Sequence, residues 1–554
     1  MTRNHKYILS IDQSTSGTKT LLVNQQGEVI ARSAKEHSQI YPKPGWVEHD
    51  PLEIYENVKH CTQDVMKKAA VNPDDLAAVT VTNQREAAVM WDKVTGIPIH
   101  NAIVWQCQRT AEVYKQLKED GFEGVVKAKT GLLIDPYFSA TKFRWMLEHV
   151  EGAFQLVEEN RLVAGTIDSW LLWKLTGGAS HVTDYSNASR TSLFNIHTLQ
   201  WDEELSTLFG VPLSILPKVE HSDSIVGYLN DKTIFDTISN HNSSSPAPIP
   251  ISGVIGDSQG ALFGHLCFEP GTAKATYGTG TSLLMNVGEQ PVDGGEGLVT
   301  TIAWGAAGKV TYALEAVIRS SGDSIKWTRD NLGLFSTFEE MQQLVDSLPS
   351  NEGVYLVPAF VGLGVPYWDP CARAAIVRMN RGSTKAHIIR AALESTTYQI
   401  RDAVDFMQEQ SSVSLTSLRT DGGASANRWL MQFQADILGQ SVIRSTCPEL
   451  SAMGSVYLGG VAVGFWSDYD HLPHDQNLYE LFQPTMLETI GKIITLAGKK
   501  QYIRSFHCKG ELYNIHTNIQ NDILNQKRGI VQLACRRVMD NSSYAISNYY
   551  LLKL

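Results

Sequence analysis

Three short, glycine-rich turns, each directly after a run of strand-like residues, constrain this chain more than any other feature. The first is Asp12-Gln13-Ser14-Thr15-Ser16-Gly17-Thr18-Lys19, after residues 7–11. The second is Tyr277-Gly278-Thr279-Gly280-Thr281-Ser282, and the third is Asp421-Gly422-Gly423-Ala424-Ser425-Ala426-Asn427. Glycine lets a backbone approach an anion without a Cβ in the way. Consecutive N–H groups with Ser/Thr hydroxyls then form an anion-holding concavity. Two such turns facing each other can hold the phosphates of one nucleotide, with the third at its nucleoside end. Asp12, at the end of a strand, is placed to hold Mg²⁺ through water. The chain has no Walker Gly-x-x-x-x-Gly-Lys-Ser/Thr and does not open on Gly-x-Gly-x-x-Gly, so the pattern points away from P-loop and Rossmann proteins.

At 554 residues the chain is too long for one core, and two domains are expected. Hydrophobic residues at 43% and charged residues at 19% are ordinary for a soluble globular protein. The net charge of −11 argues against a nucleic-acid binder, which needs a basic surface. The seven cysteines are scattered, with no Cys-x-x-Cys, so neither a zinc site nor a disulfide framework is indicated. Reduced thiols fit a cytoplasmic location. Residues 1–6 lack the apolar stretch of a signal peptide, and no run is long enough to span a bilayer.

The opening reads as a meander: strands at 7–11, 19–24 and 29–32, with the first turn at 12–18. A helix is expected over 51–70, with Pro51 in its first turn after Asp50. Short strands are expected at 78–82 and 102–105, and a helix at 166–175. The polar stretch 239–250 reads as a surface loop. A strand at 251–257 follows, then a second cycle of strands and helices from 273. This places the domain boundary near 250–272 and argues an α/β fold. The segment near 315 reads as helix. Beyond 506 the periodicity fades, and a disordered or partly helical tail is expected.

Several longer motifs resemble the FGGY carbohydrate kinases, and within them the branch that acts on glycerol. They are Tyr41-Pro42-Lys43-Pro44-Gly45-Trp46-Val47-Glu48-His49-Asp50-Pro51, Asn83-Gln84-Arg85-Glu86, Ile103-Val104-Trp105-Gln106 and Ile134-Asp135-Pro136-Tyr137-Phe138-Ser139. Thr183-Asp184-Tyr185-Ser186-Asn187-Ala188-Ser189-Arg190-Thr191, Pro366-Tyr367-Trp368-Asp369-Pro370 and Asp421-Gly422-Gly423 continue the series. The similarity runs from about residue 6 to about 505. It implies two actin/hexokinase-like (ribonuclease H-like) domains around a central cleft, 6–264 and 265–505, with 506–554 as an atypical tail. It also implies ATP and Mg²⁺, a small polyol or sugar substrate, no membrane partner and a homodimer or tetramer.

Moving a γ-phosphoryl group to an alcohol needs a positioned hydroxyl, charge neutralisation and a proton acceptor. By the resemblance the acceptor is Asp257, followed by Ser258-Gln259-Gly260. On position alone Asp257 reads equally as the N-cap of a helix over 259–265. Arg85 and Glu86, otherwise an ordinary surface pair, would bind substrate hydroxyls, with Tyr137 adding a phenol and Trp105 an apolar wall. Thr15 would touch the transferred phosphoryl, with Ser16, Gly17 and Lys19 beside it. Thr279, Gly322, Lys326, Gly423 and Asn427 would contact the nucleotide, although Lys326 reads equally as a solvated helix lysine. Domain closure would exclude water.

The chain departs from the pattern at two pocket positions. Ser258 stands where the glycerol-acting branch usually carries Gln, and Ser282 where it usually carries Phe. Both changes remove volume, so a larger, more polar pocket is expected, and a longer polyol or ketose competes with glycerol as the substrate. Arg319 stands where the family is mostly apolar, and the family's regulatory loop is not recognisable between 229 and 250. A third reading, from another class, is a nucleotide-switched binding protein on the same fold; Asp257 and the Arg85–Glu86 pair speak against it.

Overall fold

The computed structural model describes residues 6–235, 248–369, 371–473 and 476–504. Alternating apolar residues build a first sheet from β1 (Tyr7–Gln13), β2 (Gly17–Asn24), β3 (Val29–Glu36), β4 (Leu76–Asn83) and β5 (Pro250–Gly256). Its order is β5-β4-β1-β2-β3, with the two-residue strand Gly227–Tyr228 beyond β5. The hairpin pairs β1/β2 and β2/β3 are antiparallel, and β1/β4 and β4/β5 are parallel. Successive side chains on a strand face opposite ways. Leu9, Ile11 and Leu22 therefore pack on one face with Ile54 and Val58 of helix α1 (Pro51–Ala69), while Ile8, Leu21 and Val23 enter a core on the other. Asp50 caps α1 by accepting from the Leu52 amide, with Pro51 in the first turn, as the sequence predicts.

The second sheet repeats the plan. It is built from β6 (Thr272–Tyr277), β7 (Thr281–Gly288), β8 (Val299–Ala306), β9 (Lys309–Ile318), β10 (Ser417–Asp421), β11 (Ser441–Ser445) and β12 (Tyr479–Phe482), in the order β8-β9-β7-β6-β10-β11-β12. The antiparallel pairs β6/β7 and β7/β9 and the parallel pairs β6/β10 and β10/β11 match those of the first sheet one for one. This duplicated unit is the actin/hexokinase-like arrangement. The expected helix near 315 is strand β9 instead: its apolar residues pair with β7 across the sheet, and sheet pairing overrides local helical appearance. The helix begins only at Gly322.

Two helices lie between the sheets, α2 (Asp257–Gly264), leaving β5, and a later one at Leu450–Ala462. Leu262, Phe263, Ala452, Met453 and Val456 share one core with Ile8 and Leu21 of the first sheet and with Leu284 and Ala313 of the second. The helices cross backbone to backbone. A Cβ on Gly454 would lie 2.0 Å from the Gly260 carbonyl oxygen, and one on Gly264 would lie 2.2 Å from that of Leu450. Glycine at these positions is what permits the crossing. The predicted loop over 239–250 lies outside the described residues except for its last three, as does the tail beyond 504. Among the described residues no helix is long and apolar enough to cross a membrane.

Candidate active site

The glycine-rich turns are hairpin and strand-end corners, and each is tighter than the sequence suggests. Asp12 and Gln13 still belong to β1, and Gly17, Thr18 and Lys19 already belong to β2. The turn proper is Ser14-Thr15-Ser16, closed by the Ser14 amide on the Gly17 carbonyl at 2.9 Å. In the β6–β7 hairpin the Gly278 amide donates to Gly280. The start of helix α3 (Gly322–Asp330) is stitched to this turn: the Gly322 amide donates to the Gly278 carbonyl at 3.2 Å, and the Ser321 and Asp323 amides donate to that of Thr279 at 3.1 Å. Thr279 and Gly423 are exposed, and Lys326 stands exposed on α3. Asn427 caps helix α4 (Arg428–Leu438), its side-chain Oδ1 accepting from the Leu430 amide at 3.0 Å.

Asp257 does not serve as the helix cap. The N-cap of α2 is Gly256, and Asp257 is the first helical residue, where the helix dipole favours a carboxylate. Its Oδ1 lies 3.2 Å from Nε of Arg85, which stands on the corner after β4. Arg85 also reaches Glu315 Oε1 on β9 at 2.9 Å and Gln259 Oε1 on α2 at 3.2 Å. A second guanidinium, Arg190, closes the network with Glu86 at 2.6 Å and Glu315 at 2.5 Å. Against the burial that would raise it, Arg190 and Arg85 hold the Glu315 carboxyl down to about 2. For Glu86 burial outweighs the two arginines, and its carboxyl is raised. Arg85, Glu86 and Glu315 are 6%, 1% and 1% exposed at the side chain, whereas Asp257 is 35% exposed.

A second group sits beside the first turn. Nε1 of Trp105 donates to Thr15 Oγ1 at 3.0 Å, and its ring tilts against that of Tyr137, with centroids 5.4 Å apart. Trp105, expected as an apolar wall, thus hydrogen-bonds a hydroxyl of the turn. Beneath it the fully buried Lys142 donates from Nζ to the carbonyls of Tyr137 at 2.5 Å, Phe138 at 3.2 Å and Glu86 at 3.2 Å. It ties the Tyr137 loop to Glu86, whose φ of 62° is left-handed. Burial, opposed by Glu86, pulls the Lys142 amine down to about 7.

Lys19 lies 3.8 Å from Asp12 and 3.1 Å from Glu449, which also receives Arg32 at 3.5 Å. Burial pushes the Asp12 carboxyl up to about 7; Lys19 opposes this, and Asp257 and Glu449 add to it. Ser258 and Ser282 meet with their hydroxyls 3.5 Å apart. Arg319 is tied to the 361–368 loop, with its guanidinium over Trp368 and an N–H on the Val361 carbonyl.

Arg190, Glu315, Gln259, Lys142 and Glu449 are given no role by the motifs. The available signal for Glu315 was a lone charge inside the apolar strand Tyr312-Ala313-Leu314-Glu315-Ala316-Val317-Ile318, which demands a buried partner. Among the described residues no three acidic, His or Cys side chains converge as a metal cage. A carboxylate held near neutrality by burial, as Asp12 is, still fits a magnesium ion that keeps most of its water.

Residues 7–264 match the N-terminal domain, and residues 273–463 the C-terminal domain, of the FGGY family of carbohydrate kinases. A glycerol kinase of Caldanaerobacter subterraneus subsp. tengcongensis is 50% identical over 483 residues, 87% of this chain and 95% of that protein. Glycerol kinase 2 of Thermotoga maritima is 48% identical over 481 residues, 87% and 95% of the two chains. The crystal structure of Plasmodium falciparum glycerol kinase with ADP superposes with a TM-score of 0.85 at 34% identity, covering 91% of this chain and 99% of that one. A xylulose kinase from Lactobacillus acidophilus shares the fold, with a TM-score of 0.78 at 19% identity over 94% and 98% of the two chains. With both domain profiles matched in order across the two repeated sheets, the chain belongs to the FGGY family of carbohydrate kinases.

Proposed function

We propose that the protein transfers the γ-phosphoryl group of ATP to a primary hydroxyl of glycerol. One observation carries this reading. In a network of buried, mutually neutralised ions, Asp257 alone is substantially open, and Arg85 holds it from below. A carboxylate so placed can take the alcohol's proton as the new bond forms. The alcohol oxygen attacks the γ-phosphorus, its O–P bond forms, and the bond to the bridging oxygen breaks to release ADP. The proton passes to Asp257. Arg85, Glu86 and Tyr137 bind and orient the hydroxyls, with Lys142 fixing the backbone that carries Glu86 and Tyr137. Thr15, Ser16 and Gly17, with Lys19 beside them, face the phosphates from the first domain, and Thr279 and Gly322 from the second. Gly423 and Asn427 lie toward the nucleoside end. Asp12 would hold a magnesium ion, which when bound would supply neutralisation of the phosphate charge.

The 48–50% identity to proteins named glycerol kinase over 87% of the chain supports glycerol as the acceptor. The free Cys61, Cys107, Cys267, Cys371 and Cys447 suit a reducing, cytoplasmic setting. Glycerol-dependent ADP release, with glycerol 3-phosphate identified by phosphorus NMR, tests the proposal. ADP release that no alcohol stimulates, but a protein partner does, would replace it with the nucleotide-switch reading.

A further inference from the structure

Close to Asp257, Arg85 and Glu315 lies a cation that the proposed reaction does not use. Lys274 on β6 is 1% exposed, and its Nζ has two hydroxyl partners, Thr276 Oγ1 at 3.1 Å and Ser282 Oγ at 3.5 Å. The nearby carboxylates have other partners: Glu315 pairs with the two arginines and Asp257 with Arg85, while Asp421 shares a 3.1 Å hydrogen bond with His265, whose buried imidazole is held below its ordinary range. Burial lowers the Lys274 amine, opposed by Asp421, Asp257 and Glu315, with Arg85 adding to the lowering. A buried ammonium without a carboxylate partner is costly, and a further oxygen acceptor relieves that cost.

The hydroxyls show where such an acceptor enters. Thr276 and Ser282 are paired across the β6–β7 hairpin, so both turn to the face that carries Lys274. Ser282 Oγ is 3.5 Å from Ser258 Oγ, and Ser258 follows Asp257 directly. Both serines are half-buried, so a polar path runs from the buried ammonium to the residue that faces the reacting alcohol.

We infer that Ser258, Ser282 and Lys274 form a subsite for an oxygen on a fourth substrate carbon, remote from the hydroxyl that is phosphorylated. The ligand class is a four-carbon polyol or the corresponding aldonate, which share an oxygen acceptor at that carbon. The inference rests on the reading of Asp257 as the base.

The test is kcat/KM for glycerol, a tetritol and a four-carbon aldonate in the wild type, Lys274→Met and Ser282→Phe. The expected result is that the wild type phosphorylates at least one four-carbon compound. Both variants should lower the ratio of its kcat/KM to that of glycerol about tenfold or more, mainly through KM, because a site built to pair an oxygen discriminates strongly when that pairing is lost. Preference for the aldonate identifies a carboxylate at the ammonium, and preference for the tetritol a hydroxyl. If Lys274→Met does not fold, Ser282→Phe, at the half-exposed end of the path, decides. An unchanged ratio, or a wild type that phosphorylates glycerol but no four-carbon compound, overturns the inference and leaves the glycerol reading standing. ADP release that no alcohol stimulates removes both.

Discussion

Nε of Arg85 stands 3.2 Å from Oδ1 of Asp257, joining the corner after β4 to the first turn of the helix between the two sheets. The same guanidinium reaches Glu315 on the second sheet. Arg85 is therefore both a link between the repeated units and the support of the proposed base, and perturbing either partner reports on both roles.

Removing Glu315 should damage stability before chemistry. Glu315→Ala leaves Arg190 buried against Glu86, and Arg85 against Glu86 and the half-open Asp257. Breaking a buried ion pair on one side costs about 3–5 kcal/mol. Denaturant unfolding of the variant should show a loss of that size, and a change under about 1 kcal/mol would mean that water or rearrangement compensates the arginines.

The helix crossing gives a prediction with an unusual sign. In an exposed helix Gly→Ala stabilises by about 1 kcal/mol. Gly454→Ala would put a methyl group 2.0 Å from the Gly260 carbonyl oxygen, so both helices must part. Overpacking of this kind costs about 1–3 kcal/mol. Thermal unfolding should show a lower midpoint; a raised one would mean that the crossing is looser than described.

Asp12 sets a pH dependence for magnesium. Burial raises its carboxyl to about 7, so in the fold the neutral form persists far above the usual carboxylate range. Magnesium favours the ionised form, and protons compete with it as pH falls through about 7. The magnesium concentration for half-maximal activity should rise up to about tenfold per pH unit from pH 7 to pH 6 and level off above pH 8. Asp12→Asn should bind magnesium weakly with little dependence on pH in this window, as judged from titrations of initial rate. A wild type as flat as the variant would remove Asp12 from the ion's surroundings.

Much of this was legible because strands and turns announce themselves locally. The meander at 7–32, the helix after Asp50 and the strand before Asp257 were readable from alternation, a cap and a proline. The turn residues and the Arg85-Glu86 corner were legible as motifs. What sequence could not supply was pairing at a distance. Glu315 looked helical because nothing local reveals β7 beside it, and Asp257 could equally have been a cap until Arg85 was placed against it. Nothing local marks Lys142 or Lys274, since only the packed fold shows that one is spent on three carbonyls and the other on two hydroxyls.

The most direct test of Asp257 as proton acceptor is Asp257→Asn, assayed for glycerol-dependent ADP release alongside calorimetric binding of ATP·Mg. General-base catalysis contributes about 10²–10⁴-fold, so turnover should fall by at least that factor while nucleotide affinity changes less than about threefold, because the phosphate-facing turns are untouched. Turnover within about tenfold of the wild type, or loss of nucleotide binding in a folded variant, would contradict the assignment.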